Sequence, residues 1–183
     1  MWEKLLLGGL VLLCDAFSKK KETKETTKSN DKDIDMKNIK EQSTVKETKF
    51  SEQVQKKLIE VGGSATISLL NGDACRIILD KDNTGFVSDK LNNYLLFYRF
   101  EVFDVIQELL KKKGGRAVKG AGRGKEDKVG YGKCGLDTVV GYIAYKYSGV
   151  ELGGSTFDPV FVLAAVLDWA NVARNCRGYI ELI

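Results

Sequence analysis

Large apolar side chains are concentrated in two stretches of this 183-residue chain, and this division limits which part of it can fold. Residues 5–13 form an apolar run, whereas residues 18–49 contain ten lysines, seven acidic residues and only four large apolar side chains. A segment of that composition buries too little apolar surface to offset the entropy lost on folding. The sequence therefore predicts one globular domain, residues 50–183, after a disordered charged leader.

The apolar run at the N-terminus ends at Cys14. A membrane-spanning helix needs about 20 apolar residues, so a run of about ten is more typical of the apolar region of a signal peptide. We therefore predict that residues 1–13 are a signal peptide and that the protein is exported.

The sequence LVLLC at residues 10–14, followed by a hydrophilic segment, resembles the lipobox of bacterial lipoprotein precursors, most closely those of spirochaetes. That family prefers a small residue before the cysteine, where this chain has Leu13, and Glu3 weakens the basic start. The resemblance implies that Cys14 becomes the diacylated first residue, that residues 14–49 form the tether, and that acyl chains hold the protein in a membrane. It implies a cell-envelope location, in the outer membrane or at the cell surface.

Two other interpretations of the N-terminus remain open. Cleavage after Ala16 by ordinary signal peptidase would release a free secreted protein. Without any cleavage, the apolar run would be the hydrophobic N-terminus of a cytosolic protein.

Residues 50–183 are predicted to be mostly α-helical, a small bundle of about four helices with or without a short β-hairpin. Apolar periodicity and end signals place the four helices at residues 51–61, at 91–110 ahead of Gly114-Gly115, from Asp137 towards Gly149, and from Asp158-Pro159 towards Gly178. Ser51, Ser88, Asp137 and Asp158 are the expected N-caps.

Two shorter segments have β character. Residues 64–79 contain two β-capable runs around Asn71-Gly72, which fits a hairpin, and an amphipathic helix with a break fits nearly as well. Residues 179–183 form a β-capable tail.

Residues 80–91 partly match the pattern of an EF-hand calcium loop. Asp80, Asp82 and Thr84 stand at the first three ligand positions and Gly85 at the turn, but the final position is Leu91 instead of glutamate. The loop therefore predicts weak calcium binding at most, and the competing interpretation is an Asp/Asn/Gly turn that satisfies its own backbone. No other cofactor is predicted.

Residues 111–133 are rich in glycine and carry nine basic and two acidic side chains. A flexible backbone with positive charge suits an anionic partner such as a sulfated glycan, nucleic-acid phosphates, an anionic lipid headgroup or a host protein. The alternative is a mobile loop whose charge serves solubility. The predicted contact residues are Lys111, Lys112, Lys113, Arg116, Lys119 and Arg123. The spacing matches no phosphate-binding motif, and no specific nucleic-acid ligand is predicted.

Residues suited to catalysis are scarce. The chain has no histidine, so histidine-based triads and the usual zinc ligand are excluded, and its cysteines are not spaced for metal binding. In an oxidising compartment two of Cys75, Cys134 and Cys176 could form a disulfide. We therefore expect a non-catalytic surface protein that binds or adheres to an anionic or host partner. The alternatives are a weak calcium-binding protein and a secreted effector or enzyme.

Overall fold

The computed structural model describes residues 47–91 and 96–183. Within them the chain forms four α-helices, one short 3-10 helix and seven strands. Their order is α1 (Phe50–Glu60), β1 (Ser64–Ser68), β2 (Ala74–Leu79), β3 (Gly85–Ser88), β4 (Phe97–Arg99), α2 (Glu101–Lys112), β5 (Arg116–Val118), the 3-10 helix (Gly132–Cys134), α3 (Val139–Lys146), α4 (Val160–Trp169), β6 (Ala173–Cys176) and β7 (Tyr179–Leu182).

The prediction of a mostly α-helical bundle is wrong, because the described residues form two antiparallel sheets together with the helices. The fold is a mixed α/β arrangement in which strands β1 to β4 form one sheet in sequence order and the other has the order β5-β7-β6. A single core of buried apolar side chains includes residues of both sheets and of all four helices. Helical periodicity alone could not reveal this, since short buried strands carry apolar residues at similar density.

The hairpin interpretation of residues 64–79 is confirmed. Strands β1 and β2 pair antiparallel, with Ile67 opposite Cys75, and the connection runs through Asn71-Gly72. Gly72 has a φ of +89°, the left-handed conformation that favours glycine in such turns.

The predicted helix over residues 91–110 begins too early. Residues 97–99 form strand β4, in which Tyr98 pairs with Phe86 of β3, and α2 begins only at Glu101. Phe86 also packs on Phe103 of α2, with ring centroids 5.8 Å apart. The aromatic residues therefore fill the space between sheet and helix, and Ser88 lies in β3 instead of capping a helix.

The last predicted helix is too long. Helix α4 ends at Trp169, and Asn171 then adopts a φ of +58°. Residues 173–182 form the β6–β7 hairpin, whose turn contains Gly178 at a φ of +84°. Gly178 is thus a hairpin residue, and the predicted β character of the tail is confirmed by β7.

The two other helix predictions, and the predicted end of α2, are close to the observed boundaries. Helix α1 ends just before Gly62-Gly63, and α2 ends just before Gly114. Helix α3 is capped by Thr138, whose Oγ1 accepts a hydrogen bond from Gly141 N, and not by the expected Asp137. The cap lies one residue further on because Thr138 is buried beside α3 and Asp137 is exposed.

Residues 111–133 are not one loop. They comprise the end of α2, strand β5 and a segment from residue 119 that is closely hydrogen-bonded. Asp127 accepts hydrogen bonds from Gly124 N and Lys133 N, and Val129 exchanges backbone hydrogen bonds with residues 153 and 154. The glycines here permit close packing of backbone.

The predicted signal peptide, Cys14 and residues 14–46 of the tether lie outside the described residues. None of the helices in residues 47–91 and 96–183 combines the length and the apolar character that crossing a membrane requires.

Candidate functional site

A cavity of about 340 Å³ opens between the β1–β2 turn, the segment after β5 and the start of α4. Pockets that bind small molecules commonly begin at about 300 Å³. We name it the Lys119 pocket. Its lining residues are Leu69, Leu70, Asn71, Lys119, Gly120, Asp158, Val160 and Phe161.

The backbone of Lys119 is held from two sides. Its N–H donates to Gly178 O in the β6–β7 turn at 2.9 Å, and its carbonyl accepts from Val140 N at the start of α3 at 3.0 Å. The next residue, Gly120, has a φ of +77°, and a Cβ there would lie 2.4 Å from Lys133 O. Only glycine therefore lets the chain turn so closely after Lys119.

The side chain of Lys119 is half-buried and anchored on β6. Its Nζ donates to Asn175 Oδ1 at 2.5 Å and to Cys176 O at 2.7 Å. Burial lowers the pKa of Lys119, and electrostatic interactions with Cys176, Asp168 and Asp158 partly oppose that shift. The ammonium group is thus poorly solvated, and an ammonium can donate three hydrogen bonds.

Asp158 provides the carboxylate of the Lys119 pocket. Its Oδ1 accepts a hydrogen bond from Val160 N at 3.1 Å, which satisfies an amide of the first turn of α4. Burial raises the pKa of Asp158, although that hydrogen bond and the charges of Arg123 and Lys119 act in the opposite direction. Opposite charges that are both poorly solvated therefore face the same cavity.

Arg123 contributes a second cation from the rim. Its guanidinium lies 6.0 Å from the ring centroid of Phe161, a lining residue, and its charge acts on Asp158. Two cations, Lys119 and Arg123, and two carboxylates, Asp158 and Asp168, therefore act on one another around the pocket and leave no net charge there.

The β1–β2 turn forms the apolar wall. Leu69 N donates to Asp73 O and Gly72 N donates to Leu69 O, while Asp73 N donates to Asn71 Oδ1. These bonds hold the turn closed, and Leu70 remains 55% exposed at its tip. An exposed leucine beside a cavity offers apolar contact to a ligand.

The three consecutive lysines predicted for anion binding lie at the end of α2, and each has an intramolecular acidic partner. Lys111 Nζ is 2.6 Å from Glu47 Oε2, and Lys113 Nζ is 3.8 Å from an oxygen of Asp137. Lys112 donates to Glu108 and also to the hydroxyl of Tyr142. Hydrogen bonds from Lys112 and Tyr142 lower the pKa of Glu108.

The other three predicted basic residues separate into two locations. Arg116 stacks over the ring of Tyr179, 3.4 Å from its centroid. Lys119 lines the cavity and Arg123 lies over its wall, as described above. The structure therefore brings only Lys119 and Arg123 together at a cavity.

The residues matched to a calcium loop form the β2–β3 turn. Asp80 Oδ1 accepts from Gly85 N at 2.8 Å and Oδ2 accepts from Thr84 Oγ1 at 3.0 Å, so both oxygens already have donors within the turn. Asp82 lines a separate polar cavity with Thr84. Across the described ranges, no group of three or more His, Cys, Asp or Glu side chains is arranged to hold a metal ion.

The cysteines at positions 75, 134 and 176 are all reduced in the described part of the chain. Cys75 and Cys134 are fully buried, and burial raises the pKa of both thiols. Cys75 Sγ lies 3.1 Å from Ser88 Oγ across β2 and β3. The raised pKa values make these two thiols poor nucleophiles.

Sequence reasoning missed most of the pocket. Asp158 was identified only as a helix cap, and neither Asn175 nor the leucines of the β1–β2 turn were identified as site residues. Asp158 lies 88 positions after Leu70 and 17 positions before Asn175, and no local pattern connects these residues. The excess of positive charge over residues 111–133 was the one signal that pointed to Lys119 and Arg123.

Comparison with known proteins finds no matching protein family, no similar curated protein and no similar solved structure.

Proposed function

We propose that this chain is a non-catalytic binding protein that holds an anionic group of its partner in the Lys119 pocket. The observation that carries the proposal is that half-buried Lys119 lines a 340 Å³ cavity while its ammonium donates its two hydrogen bonds to neutral acceptors. A poorly solvated cation attracts an anion more strongly than a surface lysine does, because solvent screens it less.

The surroundings of the other predicted basic residues support a single anion site, at Lys119. Lys111, Lys112 and Lys113 are each within 4 Å of an acidic partner. An external anion would have to compete with those carboxylates. Lys119 instead donates to an amide and a backbone carbonyl, which carry no net charge.

The experiment measures thermal stability of residues 45–183, the compact unit that holds the pocket, with acetate, sulfate, inorganic phosphate and octanoate. We expect at least one anion to raise the melting temperature, and Lys119→Gln to abolish that increase. Lys113→Gln is the matched control, since it removes the same charge from an exposed position outside the pocket. Equal responses of both variants, or none from the unsubstituted protein, would refute the proposal.

The melting temperature of the Lys119→Gln variant without ligand shows whether the variant still folds. Arg123→Gln provides a second variant, because its side chain is exposed. We expect Arg123→Gln to weaken anion binding and to leave the ligand-free melt unchanged.

We further propose that the protein is anchored in the bacterial envelope by lipidation of Cys14. The support is the apolar run, the cysteine at its end and the charged residues that follow it. Intact mass of the native protein from the membrane fraction should show a species that begins at Cys14 with added acyl mass. Cys14→Ser should eliminate that species, and an unmodified full-length chain would refute the anchor.

A further inference from the structure

The Lys119 pocket is lined by both charged and apolar side chains. Lys119 and Asp158 are its charged residues, whereas the side chains of Leu69, Leu70, Val160 and Phe161 provide apolar surface. A simple inorganic anion would contact only the charged part. The apolar lining indicates that the natural ligand has a hydrocarbon portion as well.

The size of the pocket limits the ligand. A volume of about 340 Å³ equals that of about 11 water molecules, at about 30 Å³ each. A ligand that fills it therefore has about ten non-hydrogen atoms. Larger partners could insert only one end, because the cavity is open on one side.

The charges favour a ligand with a single negative charge. Lys119 and Arg123 together only balance Asp158 and Asp168, and the carboxylate of Asp158 repels an incoming anion. Among the described residues, only Val160 N donates a hydrogen bond to Asp158. A dianion would gain no net attraction from this balanced set of charges, and removing it from water would cost more than removing a monoanion.

We propose that the Lys119 pocket binds a medium-chain carboxylic acid, with its carboxylate on the Lys119 ammonium and its alkyl chain against Leu69, Leu70, Val160 and Phe161. This inference rests on the proposed function, because it names the class of anion that the same site takes. The third hydrogen of the ammonium is the donor to the acid. Arg123 adds long-range attraction at the rim.

Isothermal titration calorimetry tests the inference with octanoate, whose size matches the pocket, against acetate, octan-1-ol, octylamine and inorganic phosphate. We expect octanoate to bind at least tenfold more tightly than any of the other four. Acetate lacks the alkyl chain, octan-1-ol lacks the charge, octylamine has the opposite charge and phosphate has no apolar part.

Three substitutions test the apolar and the charged parts of the site separately. Leu70→Ser, at an exposed position, should weaken octanoate binding several-fold without changing the binding of acetate or phosphate. Lys119→Gln should weaken octanoate binding at least tenfold. Asp158→Asn should increase phosphate binding relative to octanoate, since it removes the repelling carboxylate and retains an oxygen acceptor for Val160 N.

The outcomes distinguish the inference from the proposed function. If acetate or phosphate binds as tightly as octanoate and Lys119→Gln still abolishes binding, the medium-chain acid is wrong and the anion site stands. If octan-1-ol binds as tightly as octanoate, the apolar residues alone account for the affinity, and the inference fails. If no anion binds in a Lys119-dependent way, both proposals fail.

Discussion

Lys119 Nζ donates a 2.5 Å hydrogen bond to Oδ1 of Asn175, a buried side chain on β6. The two residues are 56 positions apart, and their contact joins the segment after β5 to β6, an edge strand of the second sheet. It also fixes the direction in which the ammonium points. Asn175 is therefore a positioning residue for the pocket.

Asn175→Ala should destabilise the protein by about 1–3 kcal/mol, because the half-buried ammonium then loses one of its two acceptors. Urea unfolding measures the change. Arg174→Ala is the control, since the neighbouring side chain on β6 is exposed, and its effect should stay within about 0.5 kcal/mol. An equal loss of stability in the two variants would show that the hydrogen bond does not matter.

Gly141→Ala should be among the most damaging small substitutions in the domain. A Cβ at this buried helix position would lie 2.2 Å from the carbonyl oxygens of Cys134 and Gly135, which are backbone atoms that cannot rotate away. We expect a loss of about 2–3 kcal/mol, measured by urea unfolding.

Gly153→Ala is the comparison for that substitution. Gly153 has a φ of +82° with open space around its Cα, so only backbone strain of about 1 kcal/mol should result. If Gly141→Ala lowers the free energy of unfolding no more than Gly153→Ala does, α3 does not approach residues 134 and 135 as closely as the structure shows.

Asp80→Asn should reduce stability at neutral pH and have less effect in acid. Burial acts to raise the pKa of Asp80, but hydrogen bonds from Gly85 N and Thr84 Oγ1 outweigh it and hold the pKa below its ordinary value. Because the folded pKa is depressed, the ionised carboxylate stabilises the fold above its unfolded pKa of about 3.9, and this contribution disappears as the pH falls through the folded value. The loss at pH 7 should be at most about 1 kcal/mol, since solvent screens the turn.

Thermal melts at pH 7 and pH 3 test that dependence. Asp82→Asn removes the same charge two residues away, where the described side chains and backbone give its carboxylate no hydrogen bond. Its melting temperature should follow that of the unsubstituted protein at both pH values. A parallel response of the two variants would contradict the role of the Asp80 hydrogen bonds.

Alkylation of the native protein by iodoacetamide should modify Cys176 first. Its side chain is only half-buried, whereas Cys75 and Cys134 are inaccessible and their pKa values are raised by burial. Because the thiolate is the reactive form, both should react only after denaturation. The Cys14→Ser variant, digested and analysed by mass spectrometry, assigns each site. Modification of Cys134 as fast as Cys176 in the native state would contradict this packing.

The helix and hairpin boundaries that were predicted well have local causes. Gly62-Gly63 and Gly114-Gly115 end helices because glycine readily adopts positive φ, and Asn71-Gly72 closes a hairpin for the same reason. Such signals depend only on the residues themselves. They are visible in the sequence without knowledge of any partner.

Other strands depend on pairing with a second strand. Residues 97–99 are a strand because β3 pairs with them, and residues 173–176 are a strand because β7, which also pairs with the distant β5, pairs with them. The apolar spacing of both segments was equally compatible with a helix, so strand pairing decides between the two structures. This is why the prediction of a helical bundle was wrong and the chain forms two sheets.

The sequence by itself determined where a core could form, where several elements end and that positive charge gathers in residues 111–133. Only the tertiary structure decided which of those charges face a cavity. Lys111, Lys112 and Lys113 lie beside carboxylates, whereas the Lys119 ammonium is held by Asn175, and Lys119 lines a pocket together with Asp158. The physical reason is that solvation and pairing of a charge depend on its neighbours in space, which sequence order does not specify.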